Sequence, residues 1–415
     1  MYDIETPIRA YFGQVLTAKF NDLGVAYDTI EFLLGNAEML MNATNIFSKY
    51  VPNLLKILAW SPMTFVAEFL QLLPACISPT TASEVLHSLF DLPCLSATLQ
   101  AQYLVEAVPN ITDLNLLPQY NRCLASFQDA AHKLMFGHFL RSETGRGDTI
   151  DRLGNLHLLL SDFSHHQRVL AAAQIAPQLV RMFFKVVLHG GDVELVSQLV
   201  PVLIERTALL FDIPSFMTEM RRVIAQQLLA IFSLFPQLVV DYCRDIIEYL
   251  RTLRNLTQAG EHCYVHLVWI LGEYTHLGYD SRCTSSLLVE LFETLEPVTY
   301  EVALNLHRQS EYSTRLVLVL MSSLAKIASR SQDLIPRALL CLNKIVQLGK
   351  DSSTESHTHQ TLLIRANELV NVLKIPSIAS AVLSPAPHWS RPQQLQRQLD
   401  LAHLLQATSL HLDHH

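Results

Sequence analysis

Val265-His266-Leu267-Val268-Trp269-Ile270-Leu271-Gly272-Glu273-Tyr274 carries apolar side chains most of the way round a helix. A helix of that kind is buried among other helices rather than laid on a surface. Gly272 inside it costs about 1 kcal/mol relative to alanine, and the expected return is close approach by a neighbouring helix. Glu273 needs a partner or water if it is buried. Downstream, Leu316 to Ala328 is again apolar nearly all round, and Ser329-Arg330-Ser331-Gln332-Asp333 breaks it. Asp333 is the expected N-cap of the next helix, with Pro336 tolerated in the first turn. Ile335, Ala338, Leu339, Leu342, Ile345 and Val346 then form one stripe at i, i+3, i+4, i+7 spacing. Buried helix, short polar link and striped helix describe a hairpin of the stacked-repeat kind. An ion pair between Glu273 and Arg330 is expected to tie such hairpins together, with a solvated surface position for Arg330 as the alternative.

Outward from this stretch the pattern continues in both directions. Met1 to about Gly24 reads as a frayed partial repeat. Val25–Met41 and Asn45–Trp60 read as helices, Pro52 restarting the second, and Ser61-Pro62 opens the next. Ala82–Phe90 and a helix after Leu92-Pro93 follow. Val108 to Pro118 is irregular, and one longer helix is expected over Leu124–Phe139. Residues 141–148 form the clearest polar loop of the first half. Pro177, Pro214, Pro236, Pro297 and Pro336 are expected near helix starts, where no N–H bond is lost. Pro201 is expected to kink or split its helix. His189-Gly190-Gly191-Asp192 reads as a stop and a new cap. Helix starts near Asp192, Phe235 and Arg282 recur at the roughly 40–47 residues of HEAT and armadillo units. A last solid helix spans about Gln360 to Leu373, and after Pro376 the chain is expected to lose order. Period-2 alternation with hairpin turns is missing, so no sheet is predicted. The fold class is all-α, an α-α superhelix of stacked HEAT/armadillo-like hairpins. Residues 1–140 form the first part of the trunk, 141–154 a polar loop, 155–383 the second part, and 384–415 a flexible tail.

Half of the 415 residues are hydrophobic and only 16% are charged, against about 25% in ordinary soluble proteins. Burial of helices on several sides and coverage by partner subunits both account for this. The net charge is −8, and no basic stripe is large enough to neutralise several phosphates. Arg221-Arg222 and Arg244, Arg251, Arg254 read as solvated helix faces. The start of the chain lacks a basic, then apolar, signal-peptide pattern. The longest uncharged run, Val223–Val240, reads as two core helices meeting at Pro236 rather than a bilayer span. The seven cysteines are odd in number and never spaced C-x-x-C, which is the usage of a reducing compartment.

The chemistry of catalysis is mostly missing from the sequence. Gly145-Arg146-Gly147 has no P-loop lysine, and Gly349-Lys350 is followed by Asp351. Neither G-x-S-x-G nor G-x-G-x-x-G occurs. His262 and His266 stand one helical turn apart and could share an ion, but no third ligand is evident, and two partly buried helix histidines are expected. Trp60 and Trp269 read either as core packing or as interface anchors. No catalytic, cofactor or metal residue is predicted, and no cofactor.

The run Trp269–Tyr274 resembles a segment of the large subunits of adaptor-protein vesicle coat complexes. Leu324–Ala338, Val51–Pro62, Leu89–Leu95 and Arg365–Leu369 resemble the zeta large subunits of the fifth adaptor-protein complex. The resemblance runs from about Tyr27 to Leu383 and implies a C-terminal portion of a longer subunit. It implies a non-catalytic scaffold of a heterotetramer, with a second large, a medium and a small subunit as partners. It also implies endosomal and lysosomal vesicle transport, association with spatacsin- and spastizin-like proteins, and peripheral attachment to late endosomes and lysosomes from the cytoplasm. A nuclear pool and a DNA-repair role as a putative helicase form the alternative, as does a HEAT/armadillo scaffold outside adaptor complexes. No direct nucleic-acid contact is expected. Trp60, Trp269, Gly272, Glu273, Tyr274, Arg330, Asp333, Arg337 and Arg365 are the structural or interface candidates.

Overall fold

The computed structural model describes residues 5–107, 117–145, 150–252, 260–308, 313–351 and 357–384. All regular structure among them is helical, as the all-α expectation requires. The expected irregular stretch from Val108 and the expected tail lie almost wholly outside the described residues. The chain resolves into two compact units, Met1–Ile224 and Ala225–His415.

The first unit is built round one long helix, Gln167–Gly190, which packs against Val51–Trp60, Pro62–Cys76, Ala82–Phe90 and Leu92–Ala107. By length and composition this helix could cross a membrane, but 56% of its most apolar window is buried inside the protein. Four packed neighbours account for that apolarity. It ends at Gly191, whose φ of +66° only glycine adopts readily. The Asp192 carboxylate then accepts from the Glu194 and Leu195 amides and starts Val193–Arg206.

The buried polar groups of this unit are linked across long stretches of chain. Residues 5–19 are helical, with a π-helical turn at Tyr11–Val15, so the expected frayed start is ordered and buries Phe12 and Leu16. Asn53 Nδ2 donates to Phe12 O at 2.8 Å and to Thr17 Oγ1 at 2.9 Å. Lys56 Nζ, buried beside it, donates to Asn53 Oδ1 and, at 2.7 Å, to Leu140 O. Burial, with the nearby Arg141 charge, pulls the Lys56 ammonium down to about 8. The polar loop that follows is pinned to the helices Ile46–Lys49 and Ala82–Phe90. Arg141 pairs with Glu84, the Gly145 amide donates to Glu84 Oε2, and Thr144 donates to Ser48 O.

Several expectations are corrected. The single helix over Leu124–Phe139 is two, Leu117–Gln128 and Ala130–Phe139, because Asp129 takes an extended conformation and caps the Ala131 amide at 2.8 Å. Pro177 and Pro297 stand inside long helices rather than near their starts. Of the kink or split expected at Pro201, the split does not occur: Val193–Arg206 runs through it as one helix. Tertiary packing of the apolar face holds these helices together despite the lost N–H bonds. Pro376 starts a further helix, Pro376–Val382, where the sequence predicts that order ends.

His157 is buried, its Nε2 has no hydrogen-bond partner among the described residues, and its ring stands edge-on to Phe211. Burial, reinforced by the Arg206 charge, pulls its pKa from 6.5 down to about 4. As pH falls through 6.5 the unfolded chain takes up the proton first, so stability present above 6.5 is lost between 6.5 and about 4. The loss is about 3 kcal/mol, at 1.36 kcal/mol per unit. Urea midpoints measured across that range are expected to fall with pH, and His157→Leu is expected to flatten the slope.

Candidate interaction surface

In the second unit the helices Glu261–Tyr274 and Thr314–Ser329 lie side by side. Each end of the pair has its own fastening. At the start, Glu261 accepts from the Ser313 hydroxyl and from the Ser313 amide at 3.3 Å. Ser313 is itself the N-cap of the second helix, accepting from the Leu316 amide. At the far end, Arg330 Nη1 donates to Thr275 O at 2.8 Å and Arg330 Nη2 to Gly272 O at 2.7 Å. The two helices therefore run parallel, as equivalent members of successive hairpins do.

Arg330 does not pair with the Glu273 carboxylate, which corrects the expected ion pair. Its guanidinium instead satisfies carbonyls left open at the helix C-terminus, where a cation is favoured. Burial pulls its pKa down to about 10, leaving it charged at neutral pH. The Glu273 side chain takes Lys326, one turn before Arg330, with Nζ–Oε2 at 2.5 Å. Asp333 does not cap a helix by itself. It is the middle residue of a 3-10 turn, Gln332–Leu334, that leads into Ile335–Asp351.

Gly272 meets the expectation of close approach. A Cβ placed on it would lie 2.8 Å from the Ser323 Cα of the neighbouring helix. Two small residues, Gly272 and Ser323, thus set the spacing of the pair.

Outside this contact lies a line of aromatic rings. Trp269 stands edge-on to Tyr274 with centroids 5.7 Å apart, and Tyr274 to Tyr279 at 5.4 Å. Trp269 is 36% exposed and Leu277 66%, while Tyr274 is buried. Lys326 Nζ lies 5.9 Å from the Trp269 ring centroid. Burial pushes the Tyr274 and Tyr279 hydroxyls up, with Glu273 nearby as a lesser cause. Trp269 is thus packed on one edge against Tyr274 and open on the rest of its ring. The patch is apolar and aromatic with one neutralised ion pair at its edge, a composition suited to burial against another surface.

The remaining candidates make contacts within the chain. Trp60 is half-buried between Phe20 and Tyr103, with the Arg168 guanidinium stacked 3.7 Å from its ring centroid. Arg337 pairs with Glu296 at 2.6 Å and Glu293 at 3.2 Å. Arg365 pairs with Glu368 at 3.1 Å and reaches Ser322 at 3.4 Å.

Among the described residues no group of three or more His, Cys, Asp or Glu is placed to hold a metal ion. His266 Nδ1 instead lies 2.6 Å from His262 O. All seven cysteines are buried, and none is in a disulfide. Burial pushes Cys76 up to about 12 and Cys341 to about 11, so these thiols are not nucleophiles at neutral pH.

Sequence reasoning missed a cavity of about 270 Å³ in the first unit, lined in part by Glu84, His87, Asp91, His138, Arg141 and Arg206. Arg206 is fully buried and ion-paired with Asp91. Asp91 stands within the Leu89–Leu95 stretch, where an acidic residue between apolar ones was the available signal.

Comparison with known proteins gives a consistent result. Residues 68–410 match a family described as AP-5 complex subunit zeta-1, C-terminal TPR repeats. Residues 1–56 match one described as AP-5 complex subunit, vesicle trafficking. AP-5 complex subunit zeta-1 of Homo sapiens is 35% identical over 94% of this chain, and that of Mus musculus 33% over 92%. The chain spans about half the length of these relatives, 49% of each. No solved structure matches.

Proposed function

The chain belongs to the AP-5 complex subunit zeta-1 family, and on that premise we propose that it is a scaffold subunit of a heterotetrameric adaptor complex in endosomal and lysosomal vesicle transport. Its role in this reading is non-catalytic. Stacked helical hairpins bind through long surfaces, by shape and burial rather than by chemistry. The family matched by residues 1–56 is described by vesicle trafficking, and the relatives are named as complex subunits. A second large, a medium and a small subunit are the proposed partners, with spatacsin- and spastizin-like proteins beyond them. The proposed location is the cytoplasmic face of late endosomes and lysosomes, reached through the complex.

The observation that carries this reading is the match of the repeat region over most of an all-α chain. The surface of Trp269, Leu277 and Tyr279, backed by the buried Tyr274, is the proposed contact for a partner subunit. Affinity isolation of the tagged chain from cells, with partners identified by mass spectrometry, is expected to recover the other three subunits in comparable amounts. Trp269→Ala is expected to weaken that recovery about tenfold or more, the scale of an aromatic hot spot. Its thermal midpoint is expected to stay within a few degrees, because the ring is already over a third exposed. Recovery of repair factors in place of adaptor subunits would overturn the assignment. Undiminished recovery with Trp269→Ala would place the contact elsewhere.

A further inference from the structure

Two adjacent helices of the first unit, Leu23–Gly35 and Ala37–Ala43, both pack on Pro62–Cys76. The first buries Ala26, Thr29, Ile30 and Leu33, and the second buries Leu40. Their outer sides are not uniformly polar. Leu23, Tyr27, Phe32, Met39 and Met41 are each between 44% and 59% exposed. Single exposed apolar side chains are ordinary, but five on two neighbouring helices make a patch of the kind that marks an interaction site.

Acids stand among these apolar groups. At about 100° per residue, Asp28 and Glu31 lie on the crest opposite the buried face of the first helix. Leu23 and Tyr27 fall on one flank of that crest and Phe32 on the other. On the second helix Glu38 lies opposite Leu40, between Met39 and Met41. Residues 20–48 hold the carboxylates Asp22, Asp28, Glu31 and Glu38 and no Lys, Arg or His. Asp22 is engaged at the helix start, accepting from the Gly24 and Val25 amides. No ion pair among the described residues involves Asp28, Glu31 or Glu38.

Charge decides what this face can take. Anionic membranes and nucleic acid are repelled by unpaired carboxylates. A second copy docked through the same face would set Asp28 and Glu31 against their own counterparts, since a two-fold contact is self-complementary. All regular structure among the described residues is helical, so no sheet edge is there for a partner strand to extend. The complement is a helix with an apolar face bordered by cations. Met39 and Met41, unbranched and polarisable, can adapt to its side chains.

We propose that the outer face of Leu23–Gly35 and Ala37–Ala43 docks a basic amphipathic helix of a partner protein. Its apolar side chains pack against Leu23, Tyr27, Phe32, Met39 and Met41, and its lysines or arginines meet Asp28, Glu31 and Glu38. This contact lies in the first unit and is independent of the Trp269 surface in the second.

The probe is a labelled synthetic helix of about 18 residues, about 27 Å long, with leucine on one face and lysine along its borders. Fluorescence anisotropy with the full chain at about 0.15 M salt is expected to show saturable binding. Asp28→Lys with Glu31→Lys is expected to weaken it at least about tenfold, and Tyr27→Ala with Phe32→Ala by a similar factor. These side chains are exposed and leave the buried face intact, so the thermal midpoint is expected to stay unchanged. Asp245→Lys with Glu248→Lys makes the same charge change at the same spacing on exposed positions of the second unit, and is expected to leave binding unchanged. A probe with glutamate in place of lysine is expected not to bind. Four outcomes overturn the proposal: no saturable binding, equal weakening by the control pair, binding indifferent to Tyr27→Ala with Phe32→Ala, and a dimer in sedimentation that this pair dissolves. The last would assign the face to a second copy.

Discussion

Gly272→Ala lowers the stability of the second unit by at least about 2 kcal/mol, against the sign that helix propensity dictates. Alanine in a helix interior is worth about 1 kcal/mol more than glycine, so an uncrowded site would be stabilised. Here the added methyl would stand 2.8 Å from the Ser323 Cα, and backbone cannot rotate aside as a side chain can. The parallel helices must separate, which loosens both the Arg330 hydrogen bonds to the helix end and the buried faces between them. Overpacking of this kind costs about 1–3 kcal/mol or more. Equilibrium urea unfolding reads the change as a shift of midpoint. Adding Ser323→Gly takes away the hydroxymethyl group but leaves the opposing backbone in place, so it recovers only part of the loss. A Gly272→Ala chain more stable than the unmodified one would show that the helices do not approach this closely.

The largest single loss in the first unit is expected for Asp91→Ala, at about 3–5 kcal/mol. Arg206 is fully buried, lies over the Phe90 ring at 5.4 Å, and has Asp91 as its carboxylate partner. Its Nε and Nη1 have no hydrogen-bond partner among the described residues. Removing the carboxylate leaves a buried cation without its counter-charge. Arg206→Met is expected to cost less, since it removes the charge that needs a partner. Asp91→Leu with Arg206→Met is expected to regain most of the loss, because a buried pair replaced by apolar groups of similar volume is often neutral. The double-mutant cycle gives the coupling directly. Equal losses for the two single variants and additivity in the double would contradict this account.

The helical architecture is legible in the sequence because hydrophobic periodicity reports burial. The all-round apolarity of Val265–Tyr274 and Leu316–Ala328 predicts two helices buried among others, and Gly272 predicts their close approach. What the sequence conceals are polar partners. Glu273 and Arg330 are both charged and close in the fold, yet the carboxylate takes Lys326 and the guanidinium takes carbonyls. Residue types alone do not distinguish an acceptor on a side chain from one at a helix end. Proline misleads for a related reason: Pro177 and Pro297 mark helix starts by local rule, but packing along a long apolar face outweighs one missing N–H bond. The stretches that carry the family resemblance hold many of these structural residues: Asn53, Lys56, Asp91, Gly272 and Arg330. The surface aromatic Trp269 stands beside Gly272, and its exposure depends on which way the helix faces.

Asn53, Lys56, Glu84 and Asp91 have a consequence for how the chain is made. Their partners are Phe12 behind them, and Leu140, Arg141, Gly145 and Arg206 far ahead. The helix Gln167–Gly190, which packs on four earlier helices, also emerges late from the ribosome. A strict nearest-neighbour array would consolidate hairpin by hairpin as it is translated. The first unit instead keeps Lys56 and Glu84 waiting for residues 140–145, and Asp91 waiting until Arg206 has cleared the exit tunnel. At about 5–20 residues per second, the 115 residues from Asp91 to Arg206 leave that half-built core open for about 6 to 23 s. A chaperone has that interval in which to act on the nascent chain.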